Sequence, residues 1–201
     1  MSSITIQDGG GSGVLAEVSK NQRLQTLAVI ESIAAHHAFG GEAYNYNTGS
    51  LTLTDANVSG MAYLKNNEDE TLVITAFFYL LGDNTGSTSG NHLVEIIRNP
   101  TAGTIISDAT DQIPVNRDFG SNKTLTALSY KGGQGKTLTG GSVAIESIFP
   151  STGRYTVSVG AIVLRKGNSV GVRVTPAAGT TDMDVQIAMS LYRSTESTQG
   201  I

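Results

Sequence analysis

Val170, Val172 and Val174 alternate with Gly171, Arg173 and Thr175, and Val185, Ile187, Met189 and Leu191 alternate with Asp184, Gln186, Ala188 and Ser190. A period of two places each apolar set on one face of an extended strand and wets the other, so these segments read as half-buried antiparallel strands. The same reading gives strands at 93–98, 103–106, 125–130 and 143–149, at 154–159 with 162–164, and at 169–175 and 183–192. Residues 43–48 and 51–54 flank Asn47-Thr48-Gly49-Ser50 and read as a hairpin. About eight to ten short strands separated by Gly, Asn and Ser turns predict an all-β fold, an antiparallel β-sandwich of jelly-roll type, with helix under about 15 % of the chain. Its expected core includes Leu72, Ile74, Phe78, Val172, Val174, Ile187 and Met189.

The segment TLVITAFFYLL, residues 71–81, differs from the rest. Strict alternation points Leu72, Ile74, Phe78 and Leu80 one way and Val73, Phe77, Tyr79 and Leu81 the other. Both faces are apolar, so the strand must be covered on both sides. A sandwich core covers one face, and a loop, the N-terminal segment or another chain must cover the second. That favours an oligomer and makes Phe77 and Tyr79 candidate partner-binding residues.

Residues 1–20 form an expected arm. Gly9, Gly10, Gly11 and Gly13 give it reach, and Val14, Leu15 and Val18 give it a small apolar anchor that could dock on a neighbouring subunit. Residues 23–35 fit either a helix or a strand, and the extended reading, ending in a turn or short helix at 34–41, is preferred. The sandwich itself is expected over 21–193, with a polar tail over 194–201.

Thirteen basic against 17 acidic residues leave a net charge of −4, which lacks the basic footprint that nucleic-acid binding needs. Cys is absent, which excludes disulfides, zinc ribbons and thiol nucleophiles. The opening MSSITIQDGGGSG has neither the basic nor the apolar region of a secretory signal, and no apolar run approaches the length of a membrane span. Synthesis in the cytoplasm is expected, with no membrane and no nucleic-acid partner.

No constellation points to catalysis. GGQGKT, at 132–137, has Tyr130 where a P-loop needs its first Gly, and TLTGGS after it starts no helix, so a glycine-rich hairpin is expected. His36, His37 and His92 are too few for a metal site of the kind jelly-roll enzymes carry. The acidic groups at Asp108 and Asp111, Asp182 and Asp184, and 68–70 read as solvated turns rather than calcium loops. The expectation is a protein that is not an enzyme and holds no cofactor or metal.

The ordered series NQRLQT, ESIAAHHAFGGEAYNYNTGSLTLT, SGMAYLKNNEDETLVI, EIIRNPTAGTIISDA, NRDFGSNKTLTALSYKGGQGKT and VLRKGNSVGVRVTP resembles a family of tailed-bacteriophage virion structural proteins. Head decoration and cement-type capsid surface proteins belong to that group. The resemblance covers roughly residues 20–192 and brings no catalytic residues with it. It implies a decoration protein on the outer surface of the assembled head, located in the virion and partnered by the major capsid protein. Three-fold lattice points would favour a homotrimer. The alternative it leaves open is a tail or fibre module that binds a receptor or carbohydrate.

Overall fold

The computed structural model describes residues 33–82, 90–108 and 110–194. The arm with Val14, Leu15 and Val18, the run 23–32 and the tail 195–201 lie outside the described residues. In chain order the elements are α1 (Ile33–Phe39), β1 (Ala43–Asn47), β2 (Leu51–Leu53), β3 (Ser59–Asn66), β4 (Thr71–Leu81), β5 (His92–Arg98) and α2 (Thr104–Ser107). There follow β6 (Thr110–Asp111), β7 (Val115–Asn116), β8 (Ala127–Lys131), β9 (Ser142–Phe149), β10 (Gly153–Leu164), β11 (Ser169–Thr175) and β12 (Met183–Ser194). Ser194, expected to open the tail, still pairs with Thr71 at the end of β12.

Among the described residues all strand pairs are antiparallel and fall into two sheets, as the alternation predicts. The first runs β10-β4-β12-β1-β7, with β2 also on β12, and the second runs β6-β8-β3-β11-β5-β9. Within this order lie four nested pairs: β1 with β12, β3 with β11, β4 with β10 and β5 with β9. Tyr44, Tyr46, Phe77, Tyr79, Ile187 and Met189 of the first sheet pack with Leu64, Ile96, Val172 and Val174 of the second in one buried core.

β4 departs from strict alternation. Its partner β12 steps from Ser190, opposite Ala76, to Leu191, opposite Ile74, so Thr75 is an extra residue that forms a β-bulge. The bulge reverses the inward phase. Leu72 and Ile74 face the core before it, and Phe77, Tyr79 and Leu81 face the core after it. Phe77 is 0 % and Tyr79 2 % exposed, whereas Phe78, expected in the core, is 43 % exposed. Phe77 and Tyr79 are thus covered by their own chain, which corrects their assignment to a partner-facing surface. Every other residue of the expected core list is buried.

Two further local expectations change. β1 and β2 do not form a hairpin; both pair with β12 and continue in one direction along it. Thr48 makes the join, its N–H donating to the Ile187 carbonyl at 2.9 Å while its Oγ1 accepts the Ile187 N–H at 3.0 Å. The segment 103–106, expected as a strand, holds the helical turn α2. Its Ile105 is buried with Tyr63, Ile97 and Leu138 in a second, smaller core.

That second core lies on the outer face of the second sheet, since Ile97 and Tyr63 neighbour the inward-facing Ile96 and Leu64. Residues 132–141 strap it down. The Gly132 N–H donates to the Met61 carbonyl at 2.9 Å, and the Gly60 N–H to the Lys136 carbonyl at 2.6 Å. A Cβ on Gly132 would collide with the Gly60 carbonyl, and one on Gly171 with the Leu138 side chain, so both glycines serve close approach of backbone to sheet.

Candidate interaction surface

The loop between β7 and β8 is built by side-chain bonds rather than by a ladder. Asn116 is its hub: Nδ2 donates to the Gly41 carbonyl at 2.9 Å and to the Lys123 carbonyl at 3.0 Å, while Oδ1 accepts the Asp118 N–H at 2.9 Å. Asp118 Oδ1 accepts the Gly120 N–H at 3.0 Å, and the Arg117 N–H donates to the Ala43 carbonyl at 2.8 Å. Short polar side chains that bond backbone two residues on are what fix such turns.

An ion network anchors the same loop to the sandwich. Lys123 Nζ lies 2.5 Å from Glu42 Oε1 and donates to the Gly40 carbonyl at 2.9 Å. Arg193 of β12 holds the other Glu42 oxygen, with NH2 at 2.5 Å and Nε at 2.6 Å, and reaches Glu68 at 3.4 Å. Burial pushes the Glu42 carboxyl up, but the bonds from Lys123 and Arg193 outweigh it and hold the group below its ordinary value. Glu68 in turn accepts the Thr126 N–H at 2.5 Å, closing the far end of the loop.

This framework presents apolar side chains to water. Phe119, at the loop tip, is 93 % exposed, and Ile113 and Val115 are exposed just before it. Val115, Phe119, Pro114 and Lys123 help line an open hollow of about 360 Å³. Phe39 ends α1 beside Gly40, the residue gripped by Lys123, and is 83 % exposed. Large apolar groups held outward by a bonded loop make this a candidate interaction surface, since a contact made by pre-ordered groups loses little entropy on binding.

The sequence candidates fall elsewhere. The inner face of β4 holds Phe77 and Tyr79, and its outer face carries Phe78 and Leu80 in a shallow hollow with Arg154 and Gln186. The loop itself was legible in NRDFGSNK only as turn chemistry; the available signal was an aromatic residue set between Asp118 and Gly120 in a turn, where burial is difficult. His37 stacks on Tyr192 of β12, with ring centroids 4.3 Å apart and planes 12° from parallel. Lys136 of GGQGKT bonds the Asp108 carboxylate at 2.8 Å, and the residues after it stay in the strap rather than opening a helix. Asp184 accepts the Thr52 hydroxyl at 2.7 Å and Asp69 pairs with Lys166 at 2.5 Å. Among the described residues no group of three His, Asp or Glu side chains could hold a metal ion, and no helix is long and apolar enough to cross a membrane.

No family model matches the chain, and no curated protein matches it. Solved structures overlap it only weakly. Particles derived from infectious bursal virus align at 9 % identity over 79 % of this chain and 42 % of that chain, with a TM-score of 0.20. A mutant VP2 protein of infectious bursal disease virus aligns at 9 % over 75 % and 39 %, with a TM-score of 0.18. An α-amino acid ester hydrolase aligns at 10 % over 76 % and 25 %, also at 0.18. The chain spans less than half of each, and overlaps this weak carry no functional argument.

Proposed function

We propose that this protein is a non-enzymatic structural module of a virus particle, which docks on an assembled protein lattice through the loop that carries Phe119. The observation that carries the reading is the exposure of Val115 and Phe119 on a loop fixed by Asn116 and the Glu42–Lys123–Arg193 network, with Phe39 and Ile113 also exposed. The nested strand pairs support it, because an antiparallel ribbon rolled in that order is a jelly roll, an architecture common in viral capsid domains. That step is analogy of fold. The sequence resemblance to phage head decoration and cement proteins supplies the finer reading: the lattice is a phage capsid and the partner its major capsid protein. Binding only the assembled lattice would stabilise it by mass action.

The test is sedimentation of the protein with assembled particles of its source, alongside immunogold labelling of those particles. Head labelling with saturable binding is expected. Phe119→Ala should weaken binding by about 2 kcal/mol, roughly 30-fold, while leaving the fold intact. Labelling confined to tail tips, or unaltered binding by Phe119→Ala, would reject this docking surface.

A further inference from the structure

The two flanks of the sandwich end differently. On one, both sheets finish in two-residue strands, β6 and β7. On the other they finish in β9, eight residues long, and β10, twelve residues long, each paired on one side only among the described residues. Long edge strands are ordinarily blunted with charge or proline, but β9 and β10 contain no proline and carry only Glu146 and Arg154 as charges. The core is also unfinished there. Tyr44 and Tyr46 near the short flank are fully covered, whereas the core-facing Tyr155, Val157, Val159 and Ile162 of β10 are only half-buried. An apolar crevice of about 150 Å³, lined by Ile96, Ile145, Ile162, Leu164 and Val170, lies open between the two edges.

We propose that the free edge of β10 pairs antiparallel with β10 of a second copy across a two-fold axis at Thr156. A two-fold normal to the sheet keeps each side chain on its own face, so the axis must pass through a residue. The straight part of β10 ends where its register with β4 shifts, between Ser158 and Ile162. A centre at Thr156 uses that straight part from Arg154 to Ser158. It sets Thr156 opposite itself, Tyr155 opposite Val157 and Arg154 opposite Ser158. Thr–Thr and aromatic–β-branched pairs are favourable across strands, and the one charge meets a hydroxyl instead of its own copy. The second copy would then cover Tyr155 and Val157 and join two six-stranded sheets into one. This goes beyond the docking surface proposed above and uses the opposite flank. It also replaces the three-fold order expected on lattice grounds with a two-fold one.

Because the chain has no Cys, a single Thr156→Cys variant of the full chain is a clean probe. Directly opposed strand residues lie close enough for a disulfide. Mild oxidation should give a reducible dimer of 20.9-kDa chains from Thr156→Cys and only background from Thr110→Cys on the short flank. Without oxidation the parent chain should sediment as a dimer. Thr156→Lys, which sets like charges face to face at an exposed position, should weaken that dimer at least tenfold with its circular dichroism unchanged. A monomer at tens of micromolar, a trimer that does not cross-link through residue 156, or equal cross-linking at residue 110 would each overturn the proposal. A dimer seen only after deletion of residues 2–20 would overturn it too, because that segment would then be the occupant of the edge.

Discussion

His92 opens β5 fully buried, and its Nδ1 accepts the Ala177 N–H at 3.1 Å. An imidazole that accepts at Nδ1 carries its proton at Nε2, which meets no partner among the described residues. Protonating Nδ1 would turn that acceptor toward an N–H that can only donate, and would place a charge where water does not reach. Burial accordingly lowers the His92 pKa below its ordinary 6.5. The unfolded chain then binds the proton more readily than the folded one. Stability is complete above about pH 6.5 and falls with pH below that value until the folded group itself titrates. Urea midpoints at pH 7.5 and 5.5 should show this loss in the parent chain. His92→Asn should lack much of it, since an Asn Oδ1 can accept the Ala177 N–H without titrating. An equal loss in both proteins would assign it to groups other than His92. The carboxyls held low by cations, Glu42, Asp69 and Asp108, lose their stabilising charge only in more acid solution.

Within β4, one inserted residue decides which aromatic is structural. Alternation read from TLVITAFFYLL places Phe78 with Leu72 and Ile74, and the bulge at Thr75 exchanges it for Phe77. Nothing in the segment marks the bulge, because Thr, Ala and both Phe residues suit either face; its cause is the register that β10 and β12 impose from far along the chain. The same limit hid the join between β1 and β2, where NTGS carries genuine turn residues but Thr48 turns back to bond Ile187. Where one face is plainly polar, as in β12, the pattern was legible down to single residues. Phe77→Ala should therefore cost about 3–5 kcal/mol, and Phe78→Ala less than about 1 kcal/mol, in urea unfolding. The reverse order would place the bulge elsewhere.

At the scale of the whole molecule, the strands were readable but their partners were not. Alternation fixes a strand locally, whereas each long pair here joins distant segments: Ala43 meets Tyr192, Lys65 meets Ser169, and Leu93 meets Ile148. The loop that carries Phe119 shares that opacity, since Asn116 and Lys123 acquire meaning only once β7 lies beside β1. Such nesting has a kinetic consequence. The innermost of the four pairs, β5 with β9, already closes a long loop, and β1 with β12 closes most of the chain. Loop-closure entropy must be met before distant contacts can stabilise, so folding should be slow, on the order of milliseconds to seconds, and all-or-none. β12 sits between β4 and β1 and joins the two halves of the first sheet. A chain ending at residue 182 should consequently lack any cooperative unfolding transition, rather than keep a stable remnant. Tyrosine fluorescence after stopped-flow dilution from urea reads the rate in a protein without Trp. Microsecond refolding, or a cooperative melt in the truncated chain, would mean that stability resides in local units and that the rolled order does not govern folding.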